Sequence, residues 1–231
     1  LYFSFAKPLI PNWGKVITRT GMVNNHYLAF SGGTPQSNYR ASFGVMDHNT
    51  IIKKMDYNVF VAKVDVTQKA FNDRLTGDFG VFGSSFKNHD IFDTQMLFYS
   101  AACQNPTLPA GTDENGNWLK NESATHINPP GIVLDEKNDS KDLNFDAHIK
   151  LSYDFNPNWR ISTFASYLYG STENGMFCPT WVWAQGNVYR GEFKKEEWLG
   201  NVALSFNKQI GIHRISAEAS GEYRKLTKTA F

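Results

Sequence analysis

The sequence predicts an all-β fold, an antiparallel up-and-down transmembrane β-barrel of which about eight strands are present. Three observations predict it. Apolar and polar side chains alternate with period two over long stretches, which is the signature of a strand with one greasy and one wet face. Short turns alternate strictly with long connections, as in an outer-membrane barrel with tight turns at one rim and extended loops at the other. No stretch approaches the roughly 18 consecutive apolar residues that a spanning helix requires, so a helical membrane protein is excluded.

The strands group into hairpins. Residues 27–31 and 38–45 flank the turn Gly32-Gly33-Thr34-Pro35, and residues 60–67 and 74–82 flank residues 70–73. The clearest alternation runs over residues 143–155: Leu143, Phe145, Ala147, Ile149, Leu151, Tyr153 and Phe155 occupy one face, and Asn144, Asp146, His148, Lys150, Ser152 and Asp154 the other. The turn Asn156-Pro157-Asn158 follows, and Ile161, Thr163, Ala165, Tyr167 and Tyr169 continue the pattern, broken by Phe164. Residues 198–206 and 214–223 form the last pair around a turn at 208–211. Full charges such as Glu218 and Glu222 on the polar face are incompatible with an ordinary core. Thirteen residues tilted near 45° rise roughly 30 Å, enough for the apolar band of an outer membrane. Phe71, Tyr153, Phe155, Trp159 and Phe206 lie near the short turns, where an interfacial aromatic girdle belongs. On pattern alone, a large soluble β-domain is the alternative.

The long connections are residues 48–56, 87–141 and 171–186. The second opens with a mixed apolar run, 91–103, that reads as a short helix with Asp93 near its start and the Asn105-Pro106 break after its end. It also carries Trp118. Phe177, Trp181, Trp183 and Tyr189 cluster in the loop region after Gly170. Exposed aromatic faces stack on sugar rings or peptide side chains, so these five residues are the candidate substrate- or partner-binding set. Packing of the loops on their neighbours is the competing role.

Composition narrows the function. The 231 residues carry 23 Lys+Arg against 22 Asp+Glu, a formal charge of +1 that offers no field for nucleic acid. Aromatics make up 15% and charged residues only 19%, the balance of a chain built from strands with aromatic-rich surfaces. Cys103 and Cys178 share no metal-ligand spacing, and a disulfide between them competes with two free thiols. No secretory signal pattern opens the chain, as expected of a mature chain or one starting within a longer protein. There is no G-x-S-x-G, H-E-x-x-H, P-loop or G-x-G-x-x-G motif, so neither an enzyme nor a cofactor is expected.

A series of motifs then carries a resemblance. Trp13, Arg19-Thr20-Gly21, Asn25-His26, Leu28, Ser31-Gly32-Gly33, Asn38-Tyr39-Arg40-Ala41-Ser42 and Gly44 are followed by Gln68-Lys69-Ala70-Phe71-Asn72-Asp73-Arg74-Leu75. Asn105-Pro106-Thr107-Leu108-Pro109, Asn115-Gly116-Asn117-Trp118, Tyr189-Arg190-Gly191 and Leu199-Gly200-Asn201 come next, in order. Together they resemble the early barrel of the SusC/RagA-type TonB-dependent outer-membrane transporters of Bacteroidetes. The resemblance implies residues 1–21 as a lead-in from a missing plug or earlier barrel, and residues 22–231 as part of a barrel of about 22 strands. It further implies import of a glycan oligosaccharide or peptide, a SusD-like surface lipoprotein, and energy from TonB-ExbB-ExbD through an N-terminal part not in this chain. Outer-membrane lipid would surround it. A passive barrel and a small closed eight-stranded barrel are the other membrane readings.

Overall fold

The computed structural model describes residues 11–119, 127–182 and 185–231. Eight strands form one sheet in strictly sequential order, each antiparallel to the next: β1 (Met22–Gly33), β2 (Ser37–Asn49), β3 (Asp56–Ala70), β4 (Leu75–Asp90), β5 (Lys137–Asn156), β6 (Trp159–Cys178), β7 (Asn187–Ile210) and β8 (His213–Ala230). The sheet is an open arc: β1 and β8 are each paired on one side only. The expected hairpins, strand number and topology are all present.

The strands extend well past the alternating stretches that reveal them. β6 and β7, for example, pair without interruption from Trp159↔Phe206 to Cys178↔Asn187. Several sequence-based boundaries change as a result, and the expected connection 48–56 narrows to 50–55. The connection expected over 87–141 narrows to 91–136, and that expected over 171–186 narrows to 179–186. The last turn is not 208–211 but Gly211-Ile212, because Lys208 and Gln209 still pair with Ile215 and Arg214. Gly211 supplies the turn with φ +60, a conformation that costs glycine nothing. The β3–β4 turn has no glycine and instead places Phe71, Asn72 and Asp73 at φ 54, 55 and 64.

Register converts alternation into two faces. Asp78, Lys150, Phe164, Asn201 and Glu222 lie in one cross-strand row, and the residues beside them in each strand point to the other side. The first face is polar and several of its charges pair: Lys63 with Asp65 at 3.0 Å, Arg160 with Asp154 at 2.7 Å, and both Arg224 (2.7 Å) and Lys195 (3.1 Å) with Glu197. The hydroxyl of Thr67 donates to Asp78 at 2.7 Å on the same face. Phe164, the exception to the alternation, stays on this polar face with its ring 6.0 Å from that of His148.

The opposite face carries Val81, Phe79, Phe145, Ile149, Val202 and Leu204. Among the described residues nothing covers it: Phe145 is 40% exposed and Val202 50%. Two aromatic ladders edge it. Toward the turns, Tyr153 meets Phe155 edge-on at 5.2 Å and Trp159 meets Phe206 at 4.8 Å, which brings four of the expected girdle residues into two pairs. Toward the long connections, Phe145, Tyr167 and Trp198 form a second ladder with spacings of 6.5 and 4.5 Å.

The buried core lies elsewhere, at the rim of the long connections. Here α1 (Trp13–Ile17), α2 (Thr94–Cys103) and α3 (Pro129–Asp135) pack together. α2 begins where the sequence indicates, with the Asp93 carboxylate accepting the Met96 N–H at 2.8 Å as its cap. Ile17, Leu97, Ile132 and Val133 are almost wholly buried and meet Ile52, Ile91, Cys178 and Val182. This cap sits beyond the strand ends, opposite the tight turns.

Candidate functional site

The candidate aromatics separate into two places. Trp118 and Trp181, from different connections, approach to 6.4 Å between ring centroids in the cap. They meet over Gly131 of α3, where an added Cβ would lie 2.4 Å from the Trp181 ring and 2.9 Å from that of Trp118. Glycine is therefore required for the close approach. The Trp118 indole N–H donates to the Asp135 carboxylate at 2.7 Å, so its polar atom is already engaged. A turn built by Asp113 presents Trp118: its carboxylate accepts the backbone N–H groups of Asn115 and Asn117, both at 2.8 Å. Those bonds from Asn117, its backbone N–H first, hold the Asp113 carboxyl below the usual carboxylate range. Beside this turn, Trp118 lines a cavity of about 360 Å³ with Val16, Lys53, Pro130 and Leu134.

Phe177 and Tyr189 are not loop residues. They belong to β6 and β7, which continue above the apolar band because backbone pairing persists there without alternation. Register puts Phe177 opposite Val188 and Tyr189 opposite Met176, so the two aromatics project to different faces. Both line a cavity of about 480 Å³ at the loop ends of β4 to β7, and both are exposed, at 44% and 55%. Trp183 lies outside the described residues.

Sequence reasoning missed the charged lining of this cavity: Lys87, Lys137, Lys141 and Arg190, with Asp139 and Glu173. Continuing the alternation of β5 outward from Leu143 would have placed Lys141, Asp139 and Lys137 on the apolar side. A second missed feature is the cap's internal acid. Cys178 donates its S–H to Glu136 at 3.3 Å, and both side chains are buried. Burial first, and then the neighbouring carboxylate, pushes the Cys178 thiol up to about 12. Burial likewise raises Glu136 above the ordinary carboxylate range. Cys103 is exposed and the two cysteines are free thiols, which settles the disulfide question. Among the described residues no three His, Cys, Asp or Glu side chains converge to hold a metal.

No family model matches the chain. Over 95% of its length it is 25% identical to the TonB-dependent receptor SusC of Bacteroides thetaiotaomicron, and equally to the TonB-dependent receptor P3 of Formosa agariphila. It spans about a quarter of each of those proteins (24% and 23%). Among solved structures, the RagAB peptide importer in its closed-closed state superposes with TM-score 0.65 over 95% of this chain and 30% of that one, at 12% identity. The ferric-catecholate import receptor Fiu of E. coli superposes with TM-score 0.59 over 90% of this chain and 33% of that one, at 8% identity. The chain is therefore a partial, SusC-like arc of an outer-membrane β-barrel, with the fold of the TonB-dependent receptors. The soluble β-domain is overturned, and its physical flaw is plain: across the middle of the sheet one face is apolar and, among the described residues, uncovered. The relatives are receptors and importers rather than enzymes.

Proposed function

We propose that this chain forms wall and outer cap in a transporter that imports a large nutrient, a glycan oligosaccharide or a peptide, through the outer membrane. TonB-ExbB-ExbD would drive it through a part of the protein outside this chain, and a SusD-like surface lipoprotein would close over the cap. Residues 1–21 would then be a lead-in and residues 22–231 the barrel portion. The observation that carries the reading is the sequence similarity to TonB-dependent receptors across 95% of the chain. The architecture is consistent with it. A polar lumen wall stays wetted, while the apolar face meets lipid. The cap brings tryptophans to the rim where cargo would arrive.

Within that reading Trp118, Trp181 and Trp183, with Tyr189 on the lumen side of β7, are the surface offered to cargo or lid. The test uses the full-length protein in its native host. Uptake of labelled oligosaccharide or peptide should collapse when the proton gradient is dissipated, and a surface lipoprotein should co-purify. Uptake indifferent to the gradient would make the protein a passive barrel. Tyr189→Ala should weaken uptake or lipoprotein retention while heat-modifiable migration persists, because the residue is exposed and carries little of the fold.

A further inference from the structure

We infer that the lumen side of β2 to β7, in its outer rows, is a binding strip for a neutral oligosaccharide. Rings stand at its two ends and uncharged hydrogen-bonding side chains between them. The inference rests on the import reading and narrows its cargo to glycan.

At one end three strands build a ladder of rings. His48 of β2 stands directly opposite Tyr57 of β3 and meets it edge-on, with centroids 4.5 Å apart; Tyr57 in turn meets Phe86 of β4 at 5.8 Å. The register that sets Asp78 and Lys150 on the polar face sets all three rings there too. At the other end Tyr189 lies over Gly191 on the same face of β7, where an added Cβ would fall 2.7 Å from the ring carbon that bears the hydroxyl. A side chain at residue 191 would displace that ring. The row that joins Tyr57 to Gly191 runs through Asn88, Ser140 and Asn174. Among the described residues these three side chains make no hydrogen bond within the protein, so their amide and hydroxyl groups are open to a ligand. From β3 to β7 the row crosses four strand spacings, roughly 19 Å along the sheet, the reach of a short oligosaccharide.

Charge selects the class of ligand. From Phe86 outward no lumen position of β2 to β7 holds Lys or Arg, whereas the rows nearer the turns carry Lys63, Lys150 and Arg160. The carboxylates of that outer stretch are Asp142, which accepts from the Thr172 hydroxyl, and Asp90. An anionic cargo would meet like charge there. Sugar hydroxyls, by contrast, donate to carboxylates and amide oxygens and accept from amide N–H groups, while the C–H faces of the sugar rings stack on the aromatics. A peptide fits less well. Extended peptides are commonly held by adding a strand to a free sheet edge, and β2 to β7 spend their backbone groups on one another.

The experiment titrates the purified full-length protein calorimetrically with neutral linear tetrasaccharides: cellotetraose, maltotetraose, mannotetraose and xylotetraose. Tetragalacturonate and tetraalanine serve as the anionic and peptide comparators. At least one neutral tetrasaccharide should bind about tenfold more tightly than either comparator. The double variant Tyr57→Ala/Phe86→Ala should weaken that binding about tenfold, and Tyr57→Phe, which keeps the ring, should leave it nearly unchanged. Asn88→Ala/Asn174→Ala, which spares the ladder, should weaken it about fivefold and keep heat-modifiable migration even if the ring variant fails to assemble. Tighter binding of either comparator, no binding of any neutral tetrasaccharide, or unchanged affinity in the asparagine variant would overturn the proposal. Gradient-driven uptake is recorded on the unaltered protein in parallel. Its absence would defeat the import reading and leave the measured binding standing, whereas uptake without tetrasaccharide binding would sink the strip alone.

Discussion

The wall and the cap of this molecule obey opposite packing rules. In the wall, Phe145, Val202 and their neighbours are large, apolar and open, and the other face is polar and carries ion pairs such as Lys63 with Asp65 and Arg224 with Glu197. In the cap, Ile17 and Leu97 are wholly buried, and the apolar side chains turn inward on one another. The difference is one of solvent. A wall standing in hydrocarbon needs no core of its own, because lipid covers its apolar side, whereas a cap standing in water must build one. Lesions in the two regions should therefore fail differently.

The largest expected effect is in the cap. Leu97→Ala deletes a side chain with no exposure and should cost the cap about 2 to 5 kcal/mol. Limited proteolysis should then cut the connection between β4 and β5 while the barrel keeps its heat-modifiable migration. Loss of the barrel together with the cap would show that the two regions fold as one unit. Next comes the wall. Ile149→Arg places a charge on the apolar face, at a cost of about 2 to 4 kcal/mol at mid-depth. Urea titration of folding into lipid vesicles should register it as a lowered midpoint. Ser162→Arg, on the polar face beside Glu218 in the lumen-side groove, should be tolerated. Equal damage from both substitutions would reverse or abolish the assignment of faces.

A smaller effect tests whether the cap's tryptophans are held by packing alone. Trp118→Phe keeps an aromatic ring near Trp181 but removes the N–H donated to Asp135. The loss should be about 1 kcal/mol, read as a modest shift in the urea dependence of cap proteolysis. A shift as large as that of Leu97→Ala would make this bond the cap's principal tie.

How much of this is legible in the sequence follows the same division. Over 143–155 the lipid side and the lumen side demand opposite chemistry, so period two writes the strand into the residues. Past Lys141 both faces meet water, the demand vanishes, and β5 continues to Lys137 through Asp139 on backbone pairing alone. That is why Phe177 and Tyr189 read as loop. In the cap, α2 is announced by Asp93 and by Asn105-Pro106, but α1 and α3, of 5 and 7 residues, are too short to show a period. The meeting of Trp118 with Trp181 depends on Gly131, and nothing in the spacing of the three residues reveals it.

The two thiols sharpen the comparison with the least perturbation of all. Cys103 is exposed at the end of α2, whereas Cys178, at the end of β6, is 1% exposed and bonded to Glu136. A maleimide at pH 7.5 should modify Cys103 within minutes and spare Cys178, because the thiolate is the reactive form and the buried thiol is held protonated. The pH dependence follows from the sign of the shift. In the folded cap the thiol titrates near 12, and in the opened cap near the ordinary value of 9.0. The folded form thus retains a proton that the open form releases. Its contribution to stability is complete below pH 9 and is lost as the pH rises toward 12. Glu136, raised by burial, has the same sign in the acid range, so its protonated form favours the closed cap. Labelling of Cys178 should accordingly accelerate between pH 9 and 12. It should also become fast at pH 7.5 in Leu97→Ala, which loosens the cap, and stay slow in Trp159→Ala, which disturbs only the girdle. Rapid labelling of Cys178 at pH 7.5 in the unaltered protein would show that the cap opens freely, and that its buried core does not hold it over the wall.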